Sequence, residues 1–437
     1  MAMLNGFDKA RPNTLDASDR ALLERRESVL GPAYRLFYED PVHFVRGEGV
    51  WLFDAKGKRY LDAYNNVASL GHCHPRVVEV LHREARTLNT HTRYLSQGIV
   101  DCASNLLSTL PDQIDRIMFT CTGSEANDLA LRIAQHYTGG TGIIVTQLAY
   151  HGVTAAVAAC SPSLGVAVAP AAHVRTIRPP DEYFGKRDDV AEDFLSDIQA
   201  AIHSMHESGI KPAALLVDSL FTSDGIYPGR GGEMRKGVEY AQSQGILLIA
   251  DEVQSGFART GEQMWGFARH GVRPDLVTMG KPMGNGHPIA AMAAKAELLD
   301  AFGRDTRYFN TFGGNTVSCA VANEVLGVIK DQDLQSNAFE IGRYFKNRLD
   351  QCADKFECIG DVRGAGLFLG VELVADRRTQ APAAALTTKV VNRMRRNGVL
   401  ISASGHRGNV LKIRPPLVLQ QDHVDFFIER LEEALRP

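Results

Sequence analysis

Between about residue 100 and residue 295, short apolar runs alternate with amphipathic stretches of helical period, and this alternation constrains the fold most strongly. The runs are Ile117–Thr120, Gly142–Thr146, Ala214–Asp218, Ile246–Ala250 and Asp275–Met279; Ser124–Tyr137 and Gly232–Gln244 are two of the helical stretches. Strands that are apolar throughout are buried on both faces, and parallel neighbours need a crossover, usually a helix. The expected fold class is therefore α/β, a mostly parallel sheet covered by helices. Ligands of such sheets bind beyond the carboxyl ends of the strands, so the residues just after each run carry the functional information.

The flanking segments differ in texture. Residues 1–30 are polar and helical in character, and residues 42–62 place aromatic and β-branched residues around a hairpin-like turn at Asp54–Lys58. After residue 320 a long helical region, Ala320–Phe356, precedes a strand-like run from Gly366. A helix near Ala385–Asn397, short strands to Ile413 and a last helix to Leu435 follow. The expected division is an N-terminal segment 1–65 packed on a small α+β domain 321–437, with a large domain at 66–320.

Composition narrows the function. The formal net charge is −3, from 48 basic and 51 acidic residues, which gives no field for nucleic acid or membrane surfaces. No apolar run approaches the roughly 18 residues of a membrane helix, and no secretory signal is visible. The seven cysteines are scattered without a Cys-x-x-Cys pair, as expected for reduced thiols in a cytoplasmic enzyme. Gly71-His72-Cys73-His74 has the wrong spacing for a tetrahedral metal site, so no metal is expected.

Three strand ends carry chemistry. The first runs into Gly123-Ser124 at a helix start, where free N–H groups, a hydroxyl and the helix dipole suit a phosphate; a simple N-cap is the other reading. The run Ile246–Ala250 delivers Asp251, then Val253 and Gln254, a way to hold a buried carboxylate against a cation or to cap the next segment. The last leads to Lys281, boxed by Gly280 and Pro282. Such a lysine is either a desolvated nucleophile or a surface cation. Tyr150-His151 follows another strand and offers an aromatic face to a planar ring. Thr311-Phe312-Gly313-Gly314-Asn315 is a loop with a hydroxyl and close-approach glycines, suited to an oxyanion or a subunit contact.

Together these segments resemble the class III aminotransferases of fold type I, which use pyridoxal 5'-phosphate (PLP), over about residues 40–430. The resemblance implies that Lys281 holds PLP covalently and shuttles protons. Asp251 would partner the pyridine nitrogen, and Val253 and Tyr150 would flank the ring. His151 belongs to the same cofactor set, and Gln254 would reach the phenolic oxygen. Gly123 and Ser124 would cup the phosphate, and Thr311 would reach the cofactor of a neighbouring subunit. A homodimer or higher homo-oligomer follows. A PLP-dependent transcription regulator would need an N-terminal helix-turn-helix domain, for which only a few tens of residues precede the match.

Two departures bear on the substrate. Many family transaminases carry a gating Glu in a stretch that corresponds here to Asp218–Gly225, and Ser223 stands at its position. The arginine that pairs with that gate corresponds to Lys412, with Arg414 two residues on. Arg and Lys are not interchangeable in gripping a carboxylate. The family pattern points to amino transfer from an amine or amino acid to a keto acid such as pyruvate or glyoxylate. The alternative is phosphate and ammonia elimination, because Asn65–Ala68, Gly280–Pro288 and Lys412–Pro416 look like phospho-lyases acting on ethanolamine phosphate or a related phospho-amine. Lys412, Arg414 and Arg407 would then hold the leaving phosphate, unless they are ordinary surface or ion-pair charges.

Overall fold

The computed structural model describes residues 5–11, 13–184 and 189–436. Three N-terminal strands come first: β1 (Phe44–Glu48), β2 (Trp51–Asp54) and β3 (Arg59–Asp62). The central strands are β4 (Arg116–Thr120), β5 (Gly142–Thr146), β6 (Val174–Ile177), β7 (Pro212–Asp218), β8 (Leu247–Asp251), β9 (Leu276–Met279) and β10 (Ala290–Ala294). They form one sheet in the order β4-β10-β9-β8-β7-β5-β6. Only β10 runs against its neighbours, pairing antiparallel with β4 and β9, while β6, β5, β7, β8 and β9 pair in parallel. The expected mostly parallel sheet is present.

The sequence pattern explains the central strands. Ile143, Ile144, Leu215, Leu216, Ile249 and Val277 are all fully buried, as strands covered on both faces require. Two of the central strands lie outside the runs read from the sequence, β6 and β10. The run Ala290-Ala291-Met292-Ala293-Ala294 favours a helix by propensity, yet it closes the gap between β4 and β9. Small side chains suit the space there, because the helix Gly123–Thr138 packs against β10. That helix starts from a capping box in which Thr122 and Glu125 satisfy each other's backbone, and ends at Gly139 in the left-handed conformation.

The C-terminal strands are β11 (Ile359–Ala365), β12 (Phe368–Asp376), β13 (Ala381–Pro382), β14 (Val399–Leu400), β15 (Ser402–Ser404) and β16 (Val410–Ile413). Strands β11, β12, β16 and β15 make a second sheet. Strand β14 pairs in parallel with β3, so the two ends of the chain share a sheet. The long helical region is in fact two helices, Thr316–Asp331 and Leu334–Lys355, broken where Asp333 adopts φ 47°. Segment 414–417 crosses back onto the N-terminal part, with Arg414 N donating to Ala63 O at 2.8 Å and Leu417 N to Ser69 O at 2.7 Å. This crossing brings C-terminal side chains to the ends of the central strands.

Candidate active site

Strands β7, β8 and β9 end side by side, and their last residues open into one recess. Asp218 closes β7, Asp251 closes β8, and Lys281 follows β9 on a short 3-10 turn. Gly123, Ser124, Tyr150, His151, Gly152, Val253 and Gln254 complete the lining. Backbone approach is tight here: a Cβ at Gly152 (φ +144°) would lie 2.4 Å from Ser124 Oγ, and one at Gly123 would lie 2.9 Å from Val253 Cγ2. Ser124 Oγ accepts from Val153 N at 3.1 Å. The N–H groups of Gly123 and Ser124 donate to no described residue and remain open to an anion.

Asp251 is fixed by three donors. Its Oδ2 accepts from Asn127 Nδ2 at 2.9 Å and meets His151 Nδ1 at 2.7 Å, and its Oδ1 accepts from Val253 N at 3.1 Å. Asn127 in turn donates to His151 O at 2.8 Å and accepts from Thr278 Oγ1 at 2.6 Å. The carboxylate therefore has a single orientation, with its backing supplied by a helix, a loop and β9.

Lys281 is half-buried and bonds to no described residue. Burial, reinforced by the Arg414 guanidinium, pushes its amine down to about 8 against the opposing pull of Asp251 and Asp218. Roughly a tenth of this amine is unprotonated at pH 7, far more than for an ordinary lysine, which is what a nucleophile or proton shuttle requires.

Two further cations flank the recess. Lys412, on β16, is 8% exposed and donates from Nζ to Thr222 O at 3.1 Å. Arg414 is 7% exposed; its Nε donates to Tyr64 O at 2.7 Å and its Nη1 to Gln254 Oε1. Burial first, then Arg414, holds the Lys412 amine well below the ordinary lysine range. Among the described residues neither cation has a carboxylate partner within ion-pair distance. Asp218 is held by local bonds, accepting from Thr222 Oγ1 at 2.5 Å and Leu220 N at 3.0 Å, and its charge still acts on Lys281 and Lys412. Burial and the neighbouring Asp251 raise its pKa.

Other expected residues have different surroundings. Thr311 lies on an exposed loop outside the recess of its own chain, braced by Asn310 Oδ1, which accepts from Phe312 N and Gly313 N at 3.2 and 2.9 Å. Arg407 stacks 3.1 Å from the Phe184 ring centroid, in a separate pocket with Arg178 and His406, and is not part of the Lys281 recess. Gln254 lines the recess, but its side chain is held between Thr222 and Arg414. Sequence reasoning gave no role to Asn127, Thr222, Tyr64 or Thr278. For Asn127 a signal existed, since it lies one helical turn beyond Gly123 and so faces the same way.

The family model of the class-III aminotransferases matches residues 37–435. The chain belongs to that family. Class-III enzymes depend on PLP, and PLP is the cofactor implied here. Among relatives of this member, an alanine–glyoxylate aminotransferase 2-like protein of Drosophila melanogaster is 39% identical over 94% of this chain and 86% of the relative. Ethanolamine-phosphate phospho-lyase homolog 1 of Caenorhabditis elegans is 35% identical over 96% of this chain and 94% of the relative. A solved phospholyase from Arthrobacter, in complex with phosphoethanolamine, superposes with a TM-score of 0.92 and 44% identity over 95% of this chain and 99% of that one. Several relatives are named mitochondrial, and no helix among the described residues is long and apolar enough to cross a membrane.

The recess of this class-III member fits PLP on its own chemistry. It offers an unpaired amine with a lowered pKa, a buried carboxylate with fixed orientation, and two free N–H groups at a helix start. Those three features match an aldehyde, a protonated ring nitrogen and a phosphate.

Proposed function

We propose that this chain is a PLP-dependent phospho-lyase that eliminates phosphate and ammonia from a small phospho-amine such as ethanolamine phosphate. The observation that carries the reading is the pair of basic side chains Lys412 and Arg414, buried beside Lys281 with no carboxylate within ion-pair distance among the described residues, so that an incoming dianion would favour the protonated form of Lys412. Two such cations suit a substrate with a compact dianion near its amine. A phosphate meets that need more fully than a single carboxylate. The 44% identity to a phospholyase that binds phosphoethanolamine supports the same reading.

The residues divide the work. Gly123 and Ser124 would hold the cofactor phosphate, Val253 and Tyr150 would flank its ring, and Asp251 would hold the proton on its nitrogen. PLP, when bound, draws electron density from the substrate carbon that carries nitrogen. Lys281 takes the proton from that carbon. Arg414 and Lys412 bind the phosphate on the adjacent carbon and accept its growing charge as the C–O bond breaks. The phosphate departs with the C–O electron pair, and hydrolysis of the enamine left behind gives a carbonyl compound and ammonia.

Amino transfer to a keto acid is the second reading. It is favoured by the 39% identity to the alanine–glyoxylate aminotransferase 2-like protein. In either reading we propose a homodimer, in which Thr311 of each chain reaches the other's site. The exposed Leu95 and Phe312 would be covered by that contact.

Phosphorus NMR of the holoenzyme with ethanolamine phosphate and no keto acid tests the proposal. Catalytic appearance of inorganic phosphate is expected. Unchanged substrate, with pyruvate needed for any turnover, would overturn it.

A further inference from the structure

Arg259 has a larger side chain than any other fully buried described residue, at 1% exposed, and the site described above makes no use of it. Its loop is shaped to turn it inward. Phe257 and Ala258 both take positive φ, 58° and 63°, a conformation unfavourable for any residue with a Cβ. Gly366 lets the loop pass: a Cβ there would lie 2.4 Å from the Thr260 carbonyl carbon and 2.6 Å from Arg259 O.

The guanidinium has little to hold it. Nη1 donates to Leu367 O at 3.2 Å and to Pro415 O, while Nε and Nη2 have no partner. Among the described residues no carboxylate pairs with it. Burial and then the charge of Arg414 push its pKa down to about 9. Among the described residues, the charged neighbour that acts on it most is therefore another cation. An uncharged side chain could serve the two carbonyls without the desolvation cost of a buried charge.

Its position gives the charge a use. Pro415 directly follows Arg414, whose own N and Nε are anchored to Ala63 O and Tyr64 O. Arg259 thus grips the Pro415–Pro416 peptide, directly after Arg414, while the Arg414 side chain reaches Gln254. We propose that Arg259 is a positioning residue for the anionic group of the substrate. It fixes the chain directly after Arg414 and adds buried positive charge, so that the incoming anion becomes the counter-ion of the whole cluster. This rests on the reading that the substrate is an anionic amine, and it holds for a phosphate or a carboxylate.

The test compares Arg259→Gln with Arg259→Lys as PLP-loaded enzymes. Inorganic phosphate and pyruvate are titrated against the visible absorbance of the cofactor. KM and kcat are measured with ethanolamine phosphate, and binding of propylamine, read from the same absorbance, is the control without an anionic group. Arg259→Gln is expected to weaken both anions and raise KM about tenfold, with kcat within about threefold and propylamine unaffected. Arg259→Lys is expected to stay within about threefold of wild type throughout. Anion affinities within about twofold of wild type in Arg259→Gln, or equal loss in both variants, would overturn the proposal. If Arg259→Gln does not fold, Arg259→Lys decides, since a tenfold loss there shows that charge is not what matters. Wild-type enzyme that leaves ethanolamine phosphate intact would sink the phospho-lyase reading, while the anion titrations would still report on Arg259.

Discussion

His151 Nδ1 and Asp251 Oδ2 lie 2.7 Å apart beneath the recess, although 100 residues separate them in sequence. Both side chains are buried, and Asn127 Nδ2 shares the same carboxylate oxygen at 2.9 Å. His151→Phe removes one donor and keeps the ring volume. The holoenzyme should retain its visible absorbance and lose about tenfold in kcat, the equivalent of about 1.4 kcal/mol. Asp251→Asn should lose more, because no charge then faces the ring nitrogen. Equal rates for wild type and Asp251→Asn would assign ring protonation to another group.

Lys281 gives the cofactor-free protein a defined pH dependence. Its folded pKa is about 8 against 10.5 in the unfolded chain. Below pH 8 the folded state must carry the buried charge, which destabilises it. Between about 8 and 10.5 the unfolded state binds more protons, so this group makes stability rise with pH. Lys281→Met should therefore be more stable than wild type at pH 7, by on the order of 2 kcal/mol. The gain should shrink towards pH 10.5, as followed by urea unfolding of both cofactor-free proteins.

Lys412→Met removes one of the two cations offered to the substrate anion. KM for ethanolamine phosphate should rise at least about tenfold, the usual size of a lost charge-assisted contact. Binding of propylamine, which has no anion to hold, read from the visible absorbance of the cofactor, should change little. A uniform fall in both would show that Lys412 supports the fold and not the substrate.

Gly152→Ala forces a side chain into φ +144° and against Ser124 Oγ. The expected cost is about 1–3 kcal/mol of stability, together with weaker PLP retention on dialysis, since Ser124 stands in the proposed phosphate cup. Ser124→Ala, which removes only the hydroxyl, should weaken PLP less.

The central strands were legible because fully buried strands are apolar throughout, and the chemistry followed them: Asp251 and Lys281 stand where strand-end reasoning placed them. The alanine-rich strand β10 was not legible, because its register is set by β4, β9 and the helix above, not by its own propensity. The break at Asp333 was hidden for a similar reason, as nothing in its polar surroundings distinguishes a left-handed linker from one more helical turn. Arg407, grouped with Lys412 and Arg414 as a candidate for holding the phosphate, is carried by the turn between β15 and β16 to Phe184, a placement that only the tertiary structure shows. The pairs His151–Asp251 and Arg259–Pro415 depend on tertiary contacts across 100 and 156 residues, which no spacing pattern records.

Among the described residues, Lys281 and Lys412 both flank the recess with lowered pKa, and only Lys281 has the task of carrying PLP. Borohydride reduction of the holoenzyme, followed by proteolysis and mass spectrometry, locates the lysine that carries PLP. The pyridoxyl-phosphate adduct is expected on the peptide containing Lys281, with Lys412 unmodified. An adduct on Lys412 would reverse the two roles and contradict the proposed substrate site.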